Sequence, residues 1–378
     1  MSKVEKLFKE KTKELTFIEL KKNTELKING YTLKGGIPLP VITDSLMQEL
    51  EYGDLSEEIS LENVIEGMFF LFGTDPNFPH MDLYREILYA YDKDVLKLSF
   101  YKGIKALESA DLELAGVFFR ACFYLDEMNL DARLNYSLVL ESMGKTKLED
   151  GKIEEGQDLI HRATNELETI VNMDDSYSLA YYKLGYHYLY LGQYLKAQIT
   201  WNKFLTLDKD EDRLQEIREQ IDIINDDVKM EIGLSYYSYN DFGKALDSFL
   251  KLMPKHADNW NINYLIGLSY KGLEDYNSSE EYLIKAIKLN KDESDLYNDL
   301  GIIYFIQGMI LEAIKTFTDG IEETEADFKI YFNRGLGYVQ LGEYNLALRD
   351  INIAYELNPY DENVEIQKRE LENYLETL

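Results

Sequence analysis

The stretch "FNRGLGYVQLGEYNLALRDINIAYELNP", residues 332–359, places Gly335, Gly337 and Gly342 within eight residues. Glycines in such a cluster can cradle a phosphate when they follow a strand and open a helix. Glycines set into a helical pattern instead let two helix axes approach. Spacing along the chain separates the two readings. Stepping back 34 residues at a time from Gly335 gives Gly301, Gly267 and Gly233. A tyrosine stands three residues after each (Tyr236, Tyr270, Tyr304, Tyr338), and a small residue twelve after (Ala245, Ser279, Ala313, Ala347). A large apolar residue stands sixteen after each: Phe249, Leu283, Phe317 and Ile351. Four registers repeating at one period make this cluster architecture.

Apolar residues at positions 4, 7, 8 and 11 of each unit form one helical stripe, and those at 20, 24 and 27 a second. One hairpin cannot bury both stripes alone, so neighbouring hairpins must stack. The pattern resembles the tetratricopeptide repeat, a 34-residue helix–turn–helix. The last copy fits its signature best, through Tyr331, Gly335, Tyr338, Gly342, Tyr344, Ala347, Ile351, Ala354 and Pro359. An upstream copy carries Tyr181, Leu184, Gly185, Tyr188, Gly192, Tyr194, Ala197 and Trp201. Weaker copies hold Ser137 and Gly144, then Gly103, Ala115 and Phe119. The repeats start at residues 96, 130, 178, 226, 260, 294 and 328. The resemblance implies an all-α, right-handed superhelical solenoid of about seven repeats over residues 96–361, with residues 362–378 as a C-terminal capping helix. Most of the 30 tyrosines fall at signature positions, which makes them packing residues.

Two repeat intervals measure 48 residues, so each carries 14 extra. Fourteen residues are close to four helical turns, so a stripe keeps nearly the same face. "GKTKLEDGKIEEGQDL" has Gly151 midway and predicts a hairpin with both helices about two turns longer. "DRLQEIREQIDIINDD" places Leu214, Ile217, Ile221 and Ile224 in a 3–4 pattern, a lengthened or added helix. Both are expected to be passive elongations, with a protruding partner-specific element as the alternative.

Residues 1–42 read as a basic N-terminal arm with a probable hairpin, and residues 43–95 as a helical region. Nine Lys and five Glu in residues 1–34 leave a net −34 on the rest of a chain whose total is −30. The arm is expected to be a solvated, partly frayed helix, and filling of the solenoid's groove by it is a further variant. Asn29-Gly30 signals a type I′ turn, and "IPLPV" an extended stretch. Helices are expected after Thr43 or Asp44, after Ser60 and over "MDLYREILYAY", with His80 as an N-cap. This region closes the N-terminal face of the solenoid or forms a small docking element.

The acidic balance repels nucleic acid, and 45% apolar content excludes a disordered chain. The single Cys122 permits no internal disulfide. "GMFFLFG" is far too short to span a membrane, and no secretory h-region opens the chain. These features point to the cytoplasm. His80, His161, His187 and His256 are scattered, so no metal, cofactor or catalytic set is indicated. The expectation is a non-enzyme, with an activity hidden in residues 1–95 as the remote alternative.

The resemblance further implies that first-helix positions 5, 9 and 12 line a concave groove. Here these are Tyr182, Tyr186 and Leu189, then Met230, Leu234 and Tyr237, then Tyr264, Leu268 and Lys271. Asn298, Ile302 and Phe305, then Phe332, Leu336 and Val339, complete the row. Only Lys271 and Asn298 are polar or charged without an aromatic ring, so the groove suits an amphipathic helix or extended peptide, with tyrosine hydroxyls meeting its backbone. Burial of the row between neighbouring first helices is the competing expectation. The Lys-and-Asn pattern of the carboxylate-clamping subclass is absent. The function expected is a protein-interaction scaffold binding a protein or peptide with basic flanks, and a homo-oligomer is compatible with it. The alternative is a peptide-sensing regulator of the bacterial type.

Overall fold

The computed structural model describes residues 2–21, 25–52, 60–325 and 327–377. The chain divides into two compact units, residues 1–219 and 220–378.

The first unit opens with α1 (Lys3–Glu10), a 3-10 turn (Lys11–Glu14) and β1 (Leu15–Glu19). A hairpin follows, β2 (Glu25–Ile28) and β3 (Tyr31–Lys34), with Asn29 and Gly30 both at positive φ as a type I′ turn requires. "IPLPV" becomes β4 (Pro38–Ile42), antiparallel to β1 with Phe17 opposite Pro40. Prolines remove N–H donors, and a two-stranded ribbon tolerates them because each strand is an edge. Next come α2 (Thr43–Tyr52), α3 (Leu61–Thr74, capped by the Ser60 hydroxyl) and α4 (Met81–Tyr91). His80 occupies the N-cap position of α4 at φ 71, but its side chain makes no capping bond.

The N-terminal helix is not a solvated arm. Val4 and Phe8 are buried in one apolar core that extends from α1 through α3 to Leu159 and Ala163. Phe8 fits against Gly116, where a Cβ would come within 2.9 Å of its ring. Arg120 fixes the helix: Nη1 and Nη2 donate to the Glu5 carboxylate at 3.1 and 2.8 Å, and Nε donates to the Gly73 carbonyl at 2.6 Å. Composition could not reveal this, because lysines on the outer side of α1 hide two anchoring residues. Among the described residues of α1 only Val4 and Phe8 are buried, with Leu7 packed against the core beside them. The same core takes in Leu39 and Val41 of β4, so this region is built into the first hairpins. β4 lies so near α3 that a Cβ on Gly67 would fall 2.1 Å from the Pro40 carbonyl oxygen.

Helical hairpins follow: α5 (Val95–Glu108) with α6 (Leu112–Leu125), α7 (Leu130–Glu149) with α8 (Ile153–Met173), and α9 (Ser178–Tyr190) with α10 (Tyr194–Leu207). α7 and α8 have 20 and 21 residues against 13 and 14 in α9 and α10, so the first insertion lengthens both arms of one hairpin. The second lengthens α11 (Glu211–Ser238), a 28-residue helix that contains the boundary between the units. Leu214, Ile217 and Ile224 on it are buried.

The second unit continues with α12 (Phe242–Leu250) and the short α13 (Met253–His256). Three hairpins follow: α14 (Trp260–Gly272) with α15 (Tyr276–Leu289), α16 (Ser294–Ile306) with α17 (Ile310–Glu323), and α18 (Phe328–Gln340) with α19 (Tyr344–Leu357). Within each, the repeated glycine faces the large residue sixteen positions on. A Cβ would lie 3.0 Å from Leu283 at Gly267, 2.3 Å from Phe317 at Gly301 and 2.9 Å from Ile351 at Gly335. The final helix, α20 (Glu362–Glu376), buries Val364 and Leu371 against the Ala347, Ile351 and Ala354 side of α19.

Candidate protein-interaction site

Twelve of the fifteen first-helix positions lie in the second unit, on α11, α14, α16 and α18. Leu234 is exposed at 45%, Asn298 is buried, and Met230, Tyr237, Tyr264, Leu268, Lys271, Ile302, Phe305, Phe332, Leu336 and Val339 are half-buried. Successive first helices α14, α16 and α18 touch one another. Polar contacts tie them together beside the apolar packing of Tyr264 against Leu300 and Ile303. Tyr264 Oη donates to Asp299 Oδ2 at 2.6 Å, and Lys271 Nζ donates to Oδ1 of the same carboxylate at 2.7 Å. Asn333 Nδ2 donates to Asn298 Oδ1 at 2.7 Å, and Lys329 pairs with Asp295 at 3.2 Å. Burial, reinforced by the Asp299 charge, raises both the Tyr264 and Tyr237 phenols above their ordinary values. The Tyr264 hydroxyl is thus committed inside the protein, and the surface left to a partner at this position is its ring.

The other three positions, Tyr182, Tyr186 and Leu189, lie half-buried on α9 in the first unit. Tyr182 Oη donates to both oxygens of Glu216 at 3.0 Å, and Tyr186 Oη donates to Oε1 as well. The two rings meet edge to face at 5.4 Å. Burial first, then the Glu216 carboxylate, pushes both phenols up. Beside them opens a cavity of about 430 Å³, walled by Glu141 and Lys145 of α7, by Tyr182, Tyr186 and His187 of α9, and by Glu216 of α11. His187 is 4% exposed, with Nδ1 2.9 Å from the Thr164 hydroxyl. The His187 imidazole, when it carries a proton on Nε2, and the Lys145 ammonium at 2.5 Å hold the Glu141 carboxyl down at about 2.

Sequence reasoning passed over Glu141, His187, Glu216 and Asp299. The first three lie on or beside the lengthened helices. The buried Leu214 and Ile217 stripe of α11 leaves Glu216 on its polar face, which is the one signal that could have found it. Asp299 is one acid among 70 and carries no signal of its own. Among the described residues no group of three or more His, Cys, Asp or Glu is placed to hold a metal ion. No described helix is long and apolar enough to cross a membrane.

The family model described as "Tetratricopeptide repeat" matches residues 261–293, the α14–α15 hairpin. The BBSome complex member BBS4 of Bos taurus is 22% identical over 129 residues, covering 34% of this chain and 25% of that protein. Its Mus musculus counterpart is 30% identical over 110 residues, 29% and 21% of the two chains. Tetratricopeptide repeat protein 16 of Homo sapiens is 25% identical over 108 residues, covering 25% of this chain and 12% of that one. This chain therefore spans a quarter or less of the curated relatives it matches. A solved tetratricopeptide repeat protein from Parabacteroides merdae ATCC 43184 is 16% identical, with 73% of this chain and 98% of that one covered at a TM-score of 0.35. The glycine-to-apolar contact of the matched hairpin recurs in the two hairpins that follow it, so residues 261–293 are a tetratricopeptide repeat within a row of like hairpins.

Proposed function

We propose that the chain is a non-catalytic protein-interaction scaffold that takes an amphipathic helix or extended peptide along the first-helix positions of the second unit. The observation that carries this reading is the state of those positions in the second unit. The contacts between first helices satisfy the polar atoms of Tyr264, Lys271 and Asn298 internally, while rings and aliphatic groups remain partly uncovered. Such a surface favours apolar side chains at helical spacing. The acidic surroundings favour a partner with Lys or Arg on its flanks, chiefly by speeding association. The hairpins of the second unit would form the binding body, with α20 covering its C-terminal end, while residues 1–95 would close the N-terminal end of the first unit. Cys122 is buried with its thiol pushed up to about 11 by desolvation, an unreactive thiol that suits the reducing cytoplasm.

The test is an affinity measurement with a partner captured by the chain, identified by mass spectrometry and then purified. Leu234→Glu places a charge at the exposed position of the row and should weaken that partner at least tenfold, with the circular dichroism spectrum unchanged. Tyr360→Ser, 93% exposed and outside the row, should leave the affinity alone. Equal affinity of wild type and Leu234→Glu would sink the reading.

A further inference from the structure

We propose that the cavity between α7, α9 and α11 receives an arginine side chain of the partner protein. This deepens the scaffold reading and rests on it. The cavity exists because of the two insertions. Glu141 and Lys145 stand on the lengthened α7, and Glu216 stands on the part of α11 that precedes the repeat starting at residue 226. The insertions are therefore more than passive elongations of the hairpins.

The hydrogen-bond inventory defines the occupant. The Thr164 hydroxyl donates to the Ile160 carbonyl at 2.9 Å, as a helical threonine does. Its single proton is thereby used, so its contact with His187 requires Nδ1 to be the donor. In the neutral imidazole Nε2 is then an acceptor. It is buried without a hydrogen-bond partner, and Glu141 Oε2, another acceptor, is 3.7 Å away, too far for a direct bond. Glu141 Oε1 already accepts from Lys145, which leaves Oε2 open on the side of the ring. On another wall Glu216 carries a negative charge held only by two tyrosine hydroxyls in this set of contacts. The cavity thus offers several acceptors against two lining lysines, the exposed Lys145, already engaged by Glu141, and Lys183, whose ammonium lies 5.8 Å from the Tyr182 ring centre.

A guanidinium answers this arrangement point by point. It brings five N–H donors in a planar fork and no acceptor. One edge reaches the separated pair of Nε2 and Glu141 Oε2, another faces Glu216, and its plane lies against the tyrosine rings. An ammonium has no plane to stack, and a carboxylate or phosphate would meet like charge. The net −34 on the chain beyond residue 34 draws a cationic segment toward the cavity.

The experiment titrates the full-length, ¹⁵N-labelled chain with Nα-acetyl-arginine amide and, separately, with its neutral isostere Nα-acetyl-citrulline amide. Histidine long-range ¹H–¹⁵N spectra report the state of Nε2, and His187→Gln assigns the signal. The arginine compound should shift the His187 Nε2 resonance saturably and the citrulline compound should not. Glu216→Gln, at an exposed position that spares the fold, should weaken the arginine compound about tenfold, the loss of one charge-assisted hydrogen bond. No saturable shift, an equal shift with citrulline, or a free protein whose His187 carries protons on both nitrogens at neutral pH overturns the proposal. If arginine fails while Leu234→Glu still abolishes partner capture, only the cavity assignment falls. If arginine binds and no partner depends on Leu234, the scaffold reading falls and the cavity stands.

Discussion

Gly301 and Phe317 meet where α16 crosses α17, so close that a Cβ on the glycine would lie 2.3 Å from the phenylalanine ring. At Gly267 the corresponding Cβ would lie 3.0 Å from Leu283, a contact that a small shift of an aliphatic chain relieves. The two alanine substitutions should therefore differ. Each gains about 1 kcal/mol of helix propensity, but overpacking against the rigid ring costs about 1–3 kcal/mol. Gly301→Ala should lower the urea midpoint, while Gly267→Ala should leave it near the wild-type value. Equal midpoints for the two variants would show that the glycines are not held by these contacts.

That glycine-to-apolar contact was the most legible part of the fold, because close approach demands the same residue at the same offset in each hairpin. Gly233 with Phe249, Gly301 with Phe317 and Gly335 with Ile351 could be read straight from spacing. β1 could not. "LTFIE" is five residues long and is recognisable as a strand only once β4 pairs with it. Burial of Phe8 was equally hidden, since its partners Gly116 and Tyr136 lie more than 100 residues away. For the candidate site, spacing found the rings on α9 and missed the carboxylates that orient them. Tyr182 and Tyr186 stand at positions that are apolar or aromatic in most other copies, whereas Glu216 lies in an inserted segment and Glu141 is an acid at a repeat position that carries no common residue.

Phe8→Ala tests the docking of the N-terminal helix. The side chain is fully buried, stacks edge to face on Tyr136 at 5.6 Å and lies under the Arg120 guanidinium at 4.6 Å. Truncation should cost about 3–5 kcal/mol and expose α1 to protease. Lys6→Ala on the same helix should do neither. Retention of wild-type thermal stability by Phe8→Ala would mean that α1 does not belong to the core.

Glu141 supplies a pH dependence. Its carboxyl is held at about 2 by the His187 imidazole once Nε2 carries a proton, and then by Lys145, below the ordinary glutamate value near 4.5. A depressed carboxylate stabilises the fold above its unfolded pKa, and that contribution disappears as pH falls through the folded one. Glu141→Gln should therefore be less stable than wild type at pH 7, by at most ~3 kcal/mol. The gap should narrow between about pH 5 and pH 2 and close below it. Parallel melting curves across that range check the sign. A gap already closed at pH 5 would contradict it.

Asp299 of α16 couples two side chains of α14, accepting from Tyr264 and Lys271. A double-mutant cycle of Tyr264→Phe with Asp299→Asn isolates the phenol–carboxylate bond. A hydrogen bond to a charged, half-buried acceptor should give a coupling energy of about 1.5–3 kcal/mol. Additive effects of the two substitutions would place the stability of this seam elsewhere. The cycle also bears on binding, because a freed Tyr264 hydroxyl becomes available to a partner's backbone.

Gly337 has no counterpart glycine in the other repeats, and the structure gives it a separate task. It faces the preceding hairpin, where a Cβ would come within 2.8 Å of Ile314 Cγ1 on α17. Gly335, two residues earlier, faces its own hairpin through Ile351, so one helix uses two glycines against two neighbours. Gly337→Ala alone should destabilise the chain, because overpacking of about 1–3 kcal/mol outweighs a propensity gain of about 1 kcal/mol. Ile314→Ala removes the atom in the way. In that background Gly337→Ala should become stabilising, leaving only the propensity gain, so that one substitution changes sign with its neighbour. Denaturation midpoints of the four variants decide the matter: an unchanged sign in the Ile314→Ala background would mean that Ile314 is not what holds residue 337 to glycine.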